Sequence, residues 1–390
     1  MNYAVLKKSY YLLLGLVFID CSKSNSLVLP IVSGNSVAQY RTVTTSQFEF
    51  IVTLDKATTS EVSFDYTTQA WTAKATKDFV SSFGKLIVPA GSKMGSINIT
   101  VTGDSTRKAN QDFSVVFSNP KNCTLQNDHL TGTILNENGL FFPVDNSGYV
   151  TPNQYNGYSL VWSDEFTGKL INANNWSFEN GNSNGWGNQE LEYYTGRSQN
   201  AFVSQGNLIV EARAESFSGY GYTSARMITE GNKSFQYARV DIRAKLPQGK
   251  GIWPALWMLG DNIKTVGWPA CGEIDMMELL GQEPNKVYGT LHWGSNAAAN
   301  QSYGTNQVLS SGTYADSFHV YSMVWTKNSI ELFVDDISFF LMDISKGSFP
   351  FNLNFFFIFN IAVGGNWPGS PDATTTFPQR MIVDYVRVFQ

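Results

Sequence analysis

Residues Glu273 to Glu278 read Glu-Ile-Asp-Met-Met-Glu, three carboxylates in six positions of an otherwise apolar stretch. Strands bury apolar side chains, and carboxylates are almost never fully buried without partners. Strict alternation places Glu273, Asp275 and Met277 on one face and Glu278 on the other. One extra residue bulged out at Met276–Met277 brings all three carboxylates into the same cleft. Two carboxyls held about 5–5.5 Å apart are what a retaining glycosidase needs, one to attack the sugar carbon and one to protonate the leaving oxygen. Asp275, between them, is placed to tune its neighbours. A solvated acidic strand is the competing reading, but the flanks Trp268-Pro269-Ala270-Cys271-Gly272 and Leu279-Leu280-Gly281 do not suit one.

The stretch from Trp268 to Gly281 resembles the catalytic signature of glycoside hydrolase family 16, in the bulged Glu-x-Asp-x-x-Glu form of laminarinases and other endo-β-glucanases. The likeness extends from about Tyr158 to Gln390. It implies Glu273 as nucleophile, Glu278 as general acid/base and Asp275 as their helper. It also implies a jelly-roll sandwich with a cleft across its concave sheet, and a β-1,3-glucan substrate. Mixed-linkage glucan, agar or another algal galactan are alternatives within the same chemistry. A non-catalytic carbohydrate-binding protein is the alternative of a different class, and the three intact carboxylates weigh against it.

The rest of the chain fits an all-β protein. There is no convincing helical periodicity and no repeat of fixed period. The low charged fraction (15%), 14% aromatics and 33 glycines suit extracellular β domains better than a helical cytosolic enzyme. A formal net charge of −5 argues against nucleic acid or an anionic membrane surface as partner. Its 390 residues are enough for two domains. Residues 27–138 read as short alternating strands punctuated by turns such as Pro89-Ala90-Gly91 and Asn119-Pro120, giving a small Ig-like β-sandwich. This segment resembles a Calx-beta domain in Asp65-Tyr66-Thr67, Pro89-Ala90-Gly91-Ser92, Ile97 to Asp104, Phe113 to Pro120 and Ile134-Leu135-Asn136. That family often binds calcium through clustered acids. Here Lys108-Ala109-Asn110-Gln111 stands where glutamates are usual, leaving Asp65, Asp78, Asp104 and Asp112, so a structural spacer is expected. Residues 139–157, with Pro143, Gly148, Pro152 and Gly157, read as a linker. From 158 to 390 the strands are longer and more aromatic, and a jelly roll is the natural closure.

The first 26 residues read as a targeting segment and tether: Lys7 and Lys8, an apolar run from Tyr10 to Ile19, then Cys21 and a polar stretch. They resemble a bacterial lipoprotein signal, which implies lipidation of Cys21 and a place at the outer membrane or cell surface; plain secretion is the alternative. Cys123 and Cys271 fall in different expected domains, so no disulfide is expected, and Cys271 reads as a small packed thiol.

An endo-acting cleft collects aromatic rings, because they stack on the apolar faces of sugars. Trp253 and Trp257 lie four apart and share one face of a strand, facing either cleft or core. Trp268, on a Gly/Pro loop, is the stronger candidate for substrate. The block Gly185 to Thr195 resembles the family segment that carries glucan-binding polar groups, with Asn188 for a sugar hydroxyl and Tyr193 for a wall; Glu190 and Glu192 read as bonding loop backbone. Arg226 is expected either to donate to sugar oxygens or to pair with Glu273. The resemblance puts His292 near the acid/base, where it tunes Glu278, and lets Asn366, in Asn366-Trp367-Pro368-Gly369, cap one end. No cofactor is expected for catalysis. The resemblance does imply a structural calcium on the convex face, with Glu165, the Gly206 carbonyl and Asp384 as ligands. A monomer is expected.

Overall fold

The computed structural model describes residues 28–136 and 141–390; the signal-like segment with Cys21 lies outside the described residues. Among the described residues no helix is long and apolar enough to cross a membrane. They form two compact units. The smaller comprises 28–38, Gln47–Val101 and Asp112–Thr133; the larger comprises Gln39–Ser46, Thr102–Gln111 and the chain from Ile134 onward, without the masked stretch 137–140.

In the smaller unit a four-stranded sheet and a five-stranded sheet carry the alternation that the sequence displays. Ser46–Leu54 buries Phe48, Phe50, Val52 and Leu54 and exposes the residues between them. Phe79 stacks on Phe113 at 4.6 Å, and Phe64 meets Phe117 edge-on, so aromatic packing fills this core. The remaining acids are spoken for one by one. Asp65 accepts from Asn119, Asp78 from the backbone of Lys74, and Asp112 from Thr133. In the larger unit Asp104 pairs with Arg41 and Lys108.

The larger unit is a jelly-roll sandwich of a ten-stranded and a seven-stranded sheet. The seven strands, labelled in chain order, are β1 (Ser177–Glu179), β2 (Arg226–Ile228), β3 (Ile252–Gly260), β4 (Glu273–Leu279), β5 (Lys286–Trp293), β6 (Gln301–Val308) and β7 (Phe355–Val363). Their order across the sheet is β1-β2-β7-β3-β4-β5-β6. β3, β4 and β7 are central strands with neighbours on both sides, which is why they read as near-continuous apolar runs. β7 is buried along its whole length. Its odd-numbered residues, Phe355 to Val363, join the inter-sheet core, while Asn360 and Ala362 face the opposite way.

That core also takes Ile252, Leu256 and Met258 of β3 and Ile274, Met276, Met277 and Leu279 of β4. Met276 and Met277 are consecutive, yet both are buried there at 1% and 0% exposure. Two neighbouring residues on one face require a break in alternation, and the ladder contains one. Against β3, Met277 pairs with Leu256 but Asp275 with Trp257; against β5, Asp275 pairs with Thr290 and Glu278 with Tyr288. One extra residue is accommodated in β4 at Met276–Met277.

Candidate active site

The bulge decides which side chains meet. Glu273, Asp275 and Glu278 all face away from the core into one cleft of about 650 Å³. β3 contributes Trp253, Ala255, Trp257 and Leu259 to the same cleft, the alternates of its core-facing residues. Both tryptophans whose face the sequence left open are therefore cleft residues.

Each carboxylate has an indole of its own. Trp268 donates its Nε1–H to Glu273 Oε2 at 2.8 Å, and Trp253 donates to Glu278 Oε1 at 3.1 Å. Burial pushes Glu273 up to about 7, against the Trp268 hydrogen bond and the Arg226 charge, which favour its ionised form. Burial and the charge of Glu273 push Glu278 further, to about 8. Burial, then the charges of Glu273 and Glu278, hold Asp275 well above the ordinary carboxylate range, which favours its protonated form. A carboxylate that attacks has to be ionised, which calls for a low value at Glu273. The structure gives it the lower of two raised values, because a sheet-floor carboxyl loses water whichever role it has.

Arg226, on β2, lines the cleft but is not bonded to Glu273. Its Nε donates to Glu179, and its guanidinium lies between the rings of Trp186 and Trp257, 4.6 and 4.7 Å from their centroids. His292 is in register with Glu273 on β5, and its Nε2 lies 3.9 Å from Glu273 and 3.5 Å from Asp275. It thus sits on the nucleophile side, not beside Glu278 as the resemblance implied; pairing one strand over decides this. Burial lowers its pKa, so the ring is neutral near pH 7.

Asn188 lines the cleft, in a loop that needs glycine at 185: φ there is +78°, and a Cβ would come within 2.7 Å of Gln189 Cα. Tyr193 does not line it. On its short strand it points opposite to Glu192 and Tyr194 and packs on Phe217 and Tyr220. Asn366 is also absent from the lining; its backbone N–H binds the Asn188 carbonyl, and its neighbour Trp367 reaches the cleft instead. Trp367 stands edge-on to both Trp253 (5.4 Å) and Tyr288 (4.9 Å). Sequence reasoning missed Trp186, Trp367 and Asn360. The two tryptophans stand on Gly-bounded loops, the criterion that singled out Trp268, and Asn360 is the one polar side chain in the nine residues of β7.

The carboxylates implied as calcium ligands are held by arginines: Glu165 by Arg387 through two bonds of 2.8 Å, and Asp384 by Arg243 at 2.8 Å. As folded, these side chains neutralise guanidinium groups and do not fit a cation site. Cys271 is fully buried, and burial lifts its thiol to about 11, which leaves it inert beside the acids.

A strand bulged to aim three acids into an aromatic-walled cleft is matched by the profile of Glycosyl hydrolases family 16 over residues 185–387. The chain belongs to glycosyl hydrolases family 16. The Calx-beta domain profile matches residues 31–138. The family 16 part is 44% identical over 252 residues to the beta-glucanase of Rhodothermus marinus, covering 60% of this chain and 85% of that protein. It is 40% identical over 241 residues to the clotting factor G alpha subunit of Tachypleus tridentatus, covering 60% of this chain but only 34% of that protein. Among solved structures, the catalytic domain of an endo-1,3-beta-glucanase (laminarinase) from Thermotoga petrophila RKU-1 superposes with a TM-score of 0.56 at 47% identity, covering 60% of this chain and 98% of that one. The family 16 cleft thus lies wholly within the matched region.

Proposed function

We propose that this protein is an endo-β-1,3-glucanase, a laminarinase, that hydrolyses β-glucan with retention of configuration. It is a glycoside hydrolase, and the observation that carries the reading is the Met276–Met277 bulge, which sets Glu273 and Glu278 on one cleft wall with opposite protonation needs. The ionised Glu273 attacks the anomeric carbon as Glu278 gives its proton to the departing glycosidic oxygen. The C1–O bond breaks and a glycosyl ester on Glu273 forms. Glu278, now a carboxylate, takes a proton from water; that water attacks C1 and releases Glu273. Protonated Asp275 favours the ionised form of Glu273 as charge leaves and returns to it. The aromatic walls, Trp253, Trp257, Trp268 and Trp367, suit a neutral sugar chain better than an anionic one. The basic, apolar and Cys21-bearing N-terminus supports an exported enzyme held at a membrane by lipid.

The test is reducing-end release from laminarin, lichenan, curdlan, agarose and κ-carrageenan, with Glu273→Gln as blank and the first-formed anomer read by proton NMR. Short oligosaccharides from laminarin, first released as the β anomer and absent in the variant, are expected. Release from a galactan alone would overturn the substrate. An inverted product would overturn the role of Glu273, and binding without release would overturn the enzyme.

A further inference from the structure

Behind the cleft lies a second pair of acids that the hydrolytic steps do not use. Glu190 and Glu192 are 8% and 0% exposed. The Val363 N–H donates to Glu192 Oε2 at 2.6 Å, while Glu192 Oε1 is buried with no donor facing it. Glu190 is the neighbouring acid, and its charge raises Glu192. Two neighbouring buried carboxylates repel, and a proton on one of them relieves the repulsion.

Which acid carries that proton follows from a chain of donors that runs one way. Trp257 donates its indole N–H to Asn360 Oδ1 at 2.8 Å. Asn360 donates through Nδ2 to the Tyr194 hydroxyl at 3.0 Å, and Tyr194 donates to Glu190 Oε2 at 3.2 Å. The chain therefore ends on Glu190 as an acceptor. Glu190 borders the cleft and feels the Arg226 charge, whereas Glu192 has neither water nor a cation. Burial, reinforced by the Glu190 charge, raises Glu192 well above the ordinary carboxylate range.

We propose that Glu192 is a neutral carboxylic acid whose O–H is donated to an ionised Glu190, and that this shared proton holds the Tyr194–Asn360–Trp257 chain in the orientation that presents the Trp257 ring to the glycan. Glu190 and Glu192 are positioning residues, since neither touches the reacting atoms. The kinetic consequence rests on the glucanase reading above; the protonation assignment does not.

The test compares Glu190→Gln with Glu192→Gln in the full chain. A glutamine at 192 still donates an N–H to Glu190, so it mimics a neutral acid. A glutamine at 190 removes the anion that terminates the chain. In Glu190→Gln, KM for laminarin should rise several-fold with kcat within about two-fold, a loss of uniform binding. Glu192→Gln should leave KM close to wild type. Difference infrared spectra read the proton with no substrate present: a carboxylic-acid C=O band should vanish in Glu192→Gln and persist in Glu190→Gln. Loss of that band in Glu190→Gln instead, or in neither variant, would overturn the assignment. A larger KM effect in Glu192→Gln than in Glu190→Gln, with unchanged melting temperatures, would overturn the positioning role. If no glycan is turned over, the infrared comparison alone decides the proposal.

Discussion

Trp268 donates its indole N–H to Glu273 at 2.8 Å, and this single bond favours the ionised form of the carboxyl that has to attack. Trp253 does the same for Glu278, the carboxyl that has to stay protonated. The two indoles thus act in the same electrostatic direction on groups with opposite tasks. Replacing either ring by phenylalanine keeps an aromatic surface and removes the donor. Trp268→Phe should raise Glu273 and move the acid limb of kcat/KM upward, narrowing the active range. Trp253→Phe should raise Glu278 and move the alkaline limb upward, widening it. Full pH profiles of both variants check this, and a shift of either limb in the opposite direction contradicts the pairing.

In the wild type the productive state has Glu273 ionised and Glu278 neutral. With the pair pushed to about 7 and about 8, kcat/KM should follow a narrow bell with limbs in that region. The same shifts bear on stability. Both folded values lie above the ordinary 4.5, so the contribution is full below about 4.5, falls as pH rises from there, and is lost once pH has passed about 7 and about 8. Glu278→Gln should flatten that fall in a melting-temperature series across pH, because an amide has no proton to lose.

Removing the proton donor itself should be costly in rate and cheap in fold. Glu278→Gln is expected to lose roughly 10²–10⁴ in kcat on laminarin, the usual worth of a positioned general acid. Glu273→Gln should lose at least as much, since no covalent intermediate can form. Oligosaccharide binding, measured by calorimetry, should survive in both.

The bulge invites a test by deletion. Removing Met276 leaves Glu-Ile-Asp-Met-Glu, whose strict alternation keeps Glu273, Asp275 and Glu278 on the cleft face without a bulge. Activity should survive the deletion, and the melting temperature should fall because a buried methionine leaves the core. Met276→Leu keeps the residue count and nearly the volume, so it should cost less than about 1.5 kcal/mol and keep activity. Loss of activity in the deletion variant with activity kept in Met276→Leu would mean that the bulge itself, and not the shared face, aims Glu278.

Trp367 is 41% exposed and touches Trp253 and Tyr288 edge-on. Trp367→Ala should leave the melting temperature almost unchanged and raise KM roughly ten-fold, the equivalent of about 1.4 kcal/mol of lost binding. Steady-state kinetics on laminarin separates this from a change in kcat.

Much of this protein was legible in local pattern. Alternation along Ser46–Leu54 and along β3 reports which face is buried, because strand side chains have a period of two that tertiary packing only reads out. The acids of β4 demanded a bulge for the same reason: carboxylates at 273, 275 and 278 cannot share a face of a strand without one. Residue chemistry alone singled out Glu273, Asp275, Glu278 and Trp268. What sequence did not hold was adjacency across the chain. Only strand pairing sets His292 beside Glu273, turns Tyr193 away from the cleft, commits Glu165 and Asp384 to Arg387 and Arg243, and brings Glu190 within reach of Tyr194 and Asn360. These relations join residues up to 222 positions apart, and no local period encodes them. The raised protonation of Glu273 belongs to the same class, because desolvation is a property of the closed sheet floor and not of any one strand.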